Sequence, residues 1–342
     1  MTSGVSLEIL DLRHFNGALL RPLLEAEGDV WRTRLHWDYA TSTRLLTQYL
    51  DSHMLPGYAA LENGRVMGYT FCVYEESKAV IGDVFAIPGE PRSNISAQDV
   101  PGFGEPPQAA LELEERLLSH LFETLQNSPP VERIEAQLLM HPAGSHGSVF
   151  REAGFQIYPR LFMVQQLGRQ HDIAAPDLPR ELELRPWRDD DLSLAGRLIA
   201  EAYAAHPDSL INDQYRSAQG SVRFLHNIVR YSGCGTFSPQ VSYVVCERAN
   251  REMVALVLGS KVSGESGHIT QLCVRQGFRR RGLARMLLSM ASAGFWRQGM
   301  SEVSLTVTEA NQNAIELYRS EGYDCRHMFD AAVWRRERIR LA

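Results

Sequence analysis

Three arginines and a glycine, Arg279-Arg280-Arg281-Gly282, stand between a stretch with strand character and one with helix character. His268 to Val274 carries the apolar Ile269, Leu272 and Val274 and the β-branched Thr270, the composition of a strand. From Gly282 on, Leu283, Met286, Leu287 and Met290 recur at helical spacing. A helix that starts at or near Gly282 turns unpaired N–H groups and the positive end of its dipole towards the turn. A glycine there lets a ligand approach the backbone closely. Such a turn is an anion site, most naturally for a diphosphate, and the arginines add side-chain charge. Two commoner phosphate loops do not fit. The Walker loop needs a lysine after its last glycine, where Leu283 follows Gly282. The dinucleotide fingerprint needs three spaced glycines, and only Gly282 is in register.

Downstream, Ser301 to Thr308 alternates Val303, Leu305 and Val307, the pattern of a half-buried strand. Asn311 then stands at a helix N-cap position, with Ala314, Ile315, Leu317 and Tyr318 on the helix and Gly322 closing it. Arg279-x-x-Gly282-x-Ala284 after a strand resembles the acyl-CoA pyrophosphate loop of the Gcn5-related N-acetyltransferases, the GNAT family. Asn311-x-x-Ala314-Ile315-x-Leu317-Tyr318-x-x-x-Gly322-Tyr323 is similar to the family's second signature, and the two stand in the family's order.

The resemblance implies an α/β fold with a mostly antiparallel sheet flanked by helices, and acetyl-CoA as co-substrate. It implies transfer of the acetyl group to a primary amine by direct attack. The pyrophosphate would lie on Arg279, Arg280, Arg281, Gly282, Leu283 and Ala284. The pantetheine arm would run along Leu272, Cys273 and Val274, with the amide of Cys273 or Val274 polarising the thioester carbonyl. Tyr318 is the candidate general acid, since a phenol with a reference pKa of about 10 is protonated at neutral pH and can meet the departing sulfur. Asn311 is either only a helix cap or, like Asn313, a neighbour of the pantetheine. Family members often carry a glutamate base on the strand before the loop; here Thr270 and Gln271 stand there. His268, Glu309 or a water chain to bulk remain for that role. Cys273 as a covalent acyl carrier is the less economical route.

With 342 residues, two domains are the natural expectation. A net charge of −6 gives no bulk basicity for nucleic acid, and the arginines from Arg335 to Arg340 are interrupted by Glu337. Five cysteines without a CxxC pair suggest neither a disulfide framework nor a zinc site. No run of eighteen apolar residues and no leader pattern is present, so the expectation is a cytoplasmic protein without a membrane partner. Oligomeric state is left open.

The order of elements repeats. Phe150-Arg151-Glu152-Ala153-Gly154-Phe155 mirrors Tyr318-Arg319-Ser320-Glu321-Gly322-Tyr323, 168 residues later. Tandem GNAT domains are expected at 1–167 and 181–342, joined by a linker at 168–180. The halves differ chemically. After the strand ending near Ile87, the first copy has Gly102-Phe103-Gly104-Glu105-Pro106-Pro107, where an acid and two prolines oppose anion binding. Phe150 replaces the tyrosine, and His141 and His146 lie in a loop with no third ligand in sight, so no metal is expected. The first copy is thus expected to have lost acyl-CoA binding. The acceptor wall of the second copy falls on Tyr203 to Tyr215, where Asp208 and Asp213 can meet a cationic amine. The expected acceptor is a small-molecule amine. A peptide or protein amino group, or acyl-CoA binding without transfer, are the alternatives.

Overall fold

The computed structural model describes residues 7–87, 107–171, 178–230 and 235–337. Asn94-Ile95-Ser96, Gly102 to Pro106, much of the 168–180 stretch, Cys234 and the arginines at 338 and 340 lie outside them. The elements in order are β1 (Leu7–Asp11), α1 (Gly17–Leu35), α2 (Ala40–Asp51), β2 (Gly57–Glu62), β3 (Arg65–Glu75), β4 (Lys78–Ala86) and α3 (Gln108–Asn127). There follow β5 (Arg133–Gln137), α4 (Gly147–Glu152), β6 (Gln156–Gln166), β7 (Leu182–Pro186), α5 (Leu192–Tyr203), the single turn α6 (Asp208–Ile211) and α7 (Ala218–Arg230). The chain ends through β8 (Thr236–Phe237), β9 (Tyr243–Glu247), β10 (Met253–Lys261), β11 (Ser266–Val274), α8 (Leu283–Arg297), β12 (Glu302–Thr308), α9 (Gln312–Ser320) and β13 (Asp324–Arg335). It is a mixed α/β protein built of two compact units.

Unit 1 comprises residues up to Leu35, Tyr39–Pro159 and the chain from Met328. Its strands run β1-β2-β3-β4-β5, closed by the Met328–Arg335 part of β13. Only β4 and β5 pair in parallel; the other pairs are antiparallel. The Asn63-Gly64 turn between β2 and β3 places both residues in the left-handed region, as a tight hairpin requires. The apolar side of α3 (Leu117, Leu118, Leu121, Phe122, Leu125) packs with Phe150, Phe155, Ile134 and Ala332. Phe122, Phe150 and Phe155 stack on one another at 4.6–5.1 Å.

Unit 2 comprises His36–Asp38 and Arg160–His327. Its strands run β7-β9-β10-β11-β12, closed by the Arg160–Gln166 part of β6, and β11 and β12 are its parallel pair. The core gathers Trp187, Leu198, Ile199 and Leu225 over Leu256, Leu258 and Cys273. The six-strand path matches that of unit 1, with the short β8 added beside β10, which gives the repeat read from the sequence a structural form.

The division differs from the 1–167 and 181–342 halves expected. It falls inside β6 and β13 because strand pairing, rather than the polar stretch after Gly168, decides membership. Arg160 to Gln166 pair with Thr308 to Glu302, and Ala331 to Arg335 pair with Gln137 to Arg133. Each sheet thus takes its sixth strand from the other half of the sequence. Trp37 is likewise a unit 2 residue, with its ring 4.9 Å from His268 and 6.0 Å from Phe162. A buried charge at Ala332, which is 1% exposed in the unit 1 core, is expected to damage the N-terminal unit. Ala332→Asp should cost more than about 3 kcal/mol, seen as an early denaturant transition reported by unit 1 amides in hydrogen exchange. Loss confined to unit 2 amides would refute this assignment.

Candidate functional site

The site begins where two parallel strands part. β11 and β12 are in register from Ser266/Glu302 to Ile269/Leu305, and no further. On its other edge β11 stays paired with β10, but the register slips between Gly259/Ile269 and Leu258/Gln271, leaving Thr270 as one extra residue. Such a bulge bends its strand and adds twist. The Thr270 hydroxyl donates to Leu258 O at 3.2 Å and pins it. Beyond the bulge, the Arg275 amide donates to Val254 O on β10 at 2.8 Å. By strand alternation Cys273 faces β10 too, whereas the N–H and C=O groups of Leu272 and Val274 face the side β12 has left. Two of those carbonyls are approached: Leu272 O by the Tyr203 hydroxyl at 3.5 Å, and Val274 O by Arg279 Nε at 3.1 Å.

That edge leads into the basic turn. Arg280 (φ 63°) and Gly282 (φ 79°) both adopt left-handed backbone, and Gly282 is the N-cap of α8. Left-handed residues alternating with right-handed ones turn successive N–H groups inward, which makes an anion concavity. The first intrahelical bond runs from the Met286 amide to Gly282 O, so Leu283, Ala284 and Arg285 keep the unpaired N–H groups of a helix start. Space within 4 Å of a Cβ built on Gly282 is open, so the glycine answers to backbone shape and not to crowding.

The arginines divide their work. Arg279 is committed to the protein: besides Val274 O, its Nη2 donates to Ala202 O at 3.0 Å, tying the turn to the C-terminus of α5. Arg281 lies over the Phe278 ring at 4.9 Å, and Arg285 pairs with Glu321 at 2.6 Å. Arg280 is exposed.

On the β12 side, Asn311 caps α9 through Ala314 N, and its Nδ2 lies 3.0 Å from His206 Nε2. Asn313 is exposed on the first turn of α9, with no contact to this cluster among the described residues. His206 Nδ1 accepts from the Asp208 amide at 3.1 Å, and Thr308 Oγ1 donates to Asp208 Oδ1 at 2.5 Å. Tyr318 is half-buried, and among the described residues no group hydrogen-bonds its hydroxyl. Burial, and then the charge of Asp208, push its phenol up, while Arg160 works the other way. Tyr203 is pushed up by burial with Tyr215 and Asp208. Burial holds His206 below its ordinary value, against Asp208 and with the help of Arg279 and Arg160, so it is neutral at pH 7.

Two of the open alternatives lose ground here. His268 is 6% exposed, packed on Trp37, with Nδ1 2.9 Å from Ser304 Oγ; burial, reinforced by Arg160, lowers it to about 3. It is too weak a base for an amine. Cys273 is buried, and burial pushes its thiol up to about 12, so the thiolate needed for an acyl carrier is scarce. Glu309 is exposed at the end of β12. Sequence reasoning missed Arg160, which comes on β6 from the first half of the chain and which no local pattern marks; His206 fell within the Tyr203–Tyr215 acceptor stretch but was given no role of its own.

In unit 1 the corresponding edge is closed. β4 and β5 lose register after Ile81/Ala136, and Gly82 is the extra residue against β3, as Thr270 is against β10. The counterparts of Leu272 and Val274 are therefore Val84 and Ala86. Here Val84 N donates to Asp83 Oδ1 (2.8 Å), Val84 O lies 2.9 Å from His141 Nε2, and Ala86 N donates to Glu114 Oε1 (3.0 Å). Phe150, where unit 2 has Tyr318, is core.

The His268 environment sets an acid limit. Its ordinary value is 6.5 and its folded value about 3, so between them the unfolded chain holds one more proton than the folded one. Stability is then full above pH 6.5 and falls with decreasing pH, by about 1.4 kcal/mol per unit. Urea unfolding at pH 7 and pH 5 should show a smaller acid loss for His268→Gln than for wild type. Equal losses would mean that His268 is not the group concerned.

Comparison with known proteins adds three findings. The family model "Acetyltransferase (GNAT) family" matches residues 208–323. A mycothiol acetyltransferase of Thermobispora bispora is 31% identical over 161 residues, 44% of this chain and 49% of that protein. The match thus spans about half the length of the curated relative. Among solved structures, a GNAT protein of Sphaerobacter thermophilus superposes with TM-score 0.58 at 15% identity, covering 96% of this chain and 95% of that one. A tandem GNAT protein from the clavulanic acid biosynthesis pathway gives 0.59 at 12%, covering 96% and 98%. These two likenesses concern the fold.

Proposed function

We propose that the chain is an acyltransferase of the GNAT type and that unit 2 moves an acetyl group from acetyl-CoA to the primary amine of a small molecule; the family match over residues 208–323 and the partial kinship with an acetyltransferase support this. One observation carries the reading. The edge of Leu272 and Val274, whose two N–H groups have no partner among the described residues, runs directly into the anion concavity at Arg280–Ala284, so an extended amide-bearing arm and its diphosphate have adjoining berths.

The pantetheine amides pair with that edge as an added strand would, and the pyrophosphate lies on the α8 N–H groups with Arg280 and Arg281 beside it. Arg279 shapes the turn. The alternation of β11 supports Val274 N–H, rather than Cys273 N–H, as the donor to the thioester oxygen. The amine nitrogen attacks the carbonyl carbon, its proton passes to water, the C–S bond breaks, and the thiolate takes the Tyr318 proton. Solvent reprotonates Tyr318. Arg160 stabilises the phenolate that forms in passing, and Asp208 attracts a cationic acceptor. The small-molecule acceptor is favoured by the partial kinship with a mycothiol acetyltransferase and by an acceptor wall made of half-buried Tyr203, His206, Asp208 and Tyr215. In unit 1 the edge is occupied by Asp83, His141 and Glu114, which leaves a single acetyl-CoA site per chain.

Calorimetric titration with acetyl-CoA tests this reading. One site per chain is expected, and Gly282→Asp should weaken it by at least about tenfold more than Gly282→Asn, since both strain the same left-handed position and only one adds charge. Two sites, or equal effects, would overturn the assignment. Tyr318→Phe should lower kcat by about 10²-fold or more with acetyl-CoA affinity retained. Because its phenol is raised, wild-type kcat should not decline on the alkaline side up to pH 9. An alkaline fall before that, or an undiminished Tyr318→Phe, would remove the acid role. Turnover of peptides but of no small amine would replace the substrate class.

A further inference from the structure

The side chains that close the unit 1 edge converge on a point of their own. Glu114 Oε2, His141 Nδ1 and His146 Nε2 form a triangle with sides of 3.2 Å (His141–His146), 3.3 Å (His146–Glu114) and 3.7 Å (His141–Glu114). The three residues are 2%, 6% and 3% exposed. Metal–ligand bonds of about 2.0–2.1 Å in a tetrahedron require ligand atoms about 3.3 Å apart, and this triangle is such a face. We infer that Glu114, His141 and His146 form a zinc site in the N-terminal unit.

The outer contacts of His141 and Glu114 agree, while His146 Nδ1 is buried without a partner. His141 Nε2 points at Val84 O, so its proton lies there and Nδ1 presents a lone pair to the centre. Asp83 Oδ1 stands 3.8 Å from the same Nε2, a second acceptor behind the ring. Glu114 Oε1 is fixed by the Ala86 amide, which leaves Oε2 for the centre. That Oε2 is buried without a hydrogen-bond partner, a costly state for a carboxylate that a cation removes. A shared proton satisfies only one pair of the three atoms, whereas a metal satisfies all. Arg34 couples electrostatically to Glu114, and its Nη1 donates to Met140 O at 2.8 Å. With two histidines and one carboxylate, a fourth position is left for water.

The ligands come from α3, from the loop after β5 and from the N-cap of α4. A metal there staples these elements to β4 and holds closed the edge that unit 2 leaves open. The site is independent of the acetyl-transfer reading.

The test uses the full chain after chelator treatment. Zinc titration should show one tight equivalent and raise Tm, and cobalt(II) should give the intense visible bands of a tetrahedral centre. Glu114→Gln, which keeps the volume and one oxygen, should weaken zinc at least tenfold. No saturable zinc binding would overturn the proposal. So would zinc binding left unchanged in both Glu114→Gln and His146→Gln, or a cobalt spectrum of six-coordinate type. The cobalt spectrum needs no variant and so holds even where a substitution misfolds.

Discussion

Everything at the candidate site depends on one disagreement between neighbouring strands. β11 and β12 are parallel partners for four residues, after which a single extra residue, Thr270, turns β11 away. A parallel strand that leaves its partner exposes amide and carbonyl groups, and such groups must be satisfied. Since the other edge of β11 stays locked to β10, the only free edge is the one facing the gap. Each later feature is placed with respect to that gap. The α8 dipole closes one end, the Asn311 cap and Tyr318 line the other strand's continuation, and Tyr203 approaches from α5.

The same disagreement occurs in unit 1, with Gly82 as the extra residue, and is settled in the opposite way. There the orphaned groups of Val84 and Ala86 are met by side chains, and those side chains bring two histidines and a buried glutamate together. One backbone device thus yields either an open berth for an extended ligand or a sealed polar knot. Which of the two appears is decided by side chains: Asp83 on β4 itself, Glu114 on α3 and His141 on the loop before α4. Electrostatics follow the same split. Unit 2 collects arginines around its gap, whereas unit 1 collects Glu114 and Asp83.

What was legible in the sequence was local. Gly282 as a helix start, Asn311 as a cap and the alternation of Val303, Leu305 and Val307 each depend on a few adjacent residues, and the structure has them. The fold class followed from two such signatures standing in order. Long-range choices left no trace. Nothing around Arg160 says that its strand completes the sheet of the second half. Nothing around Trp37 says that it will pack on His268. Thr270 looks like any strand threonine, although its bulge sets the site. Glu114 is one of several acids on an amphipathic helix, so His141 and His146 appeared to lack a third ligand. His268 was a base candidate because it is titratable and stands on the strand before the basic turn, while its neighbours in space are Trp37 and Phe162.

The crossed sixth strands bear on how the protein is made on a ribosome. When β5 has been translated, the strand that will lie beside it is still roughly 190 residues away, about 10–40 s at ordinary elongation rates. Through that interval the nascent N-terminal unit carries an unpaired strand edge, the kind of surface that recruits foreign strands. The C-terminal unit has no such delay, since β6 is already waiting when β12 emerges. Synthesis is vectorial, yet the order of completion is reversed: the unit translated second can finish its sheet first, and the unit translated first is sealed by a strand that emerges after β12.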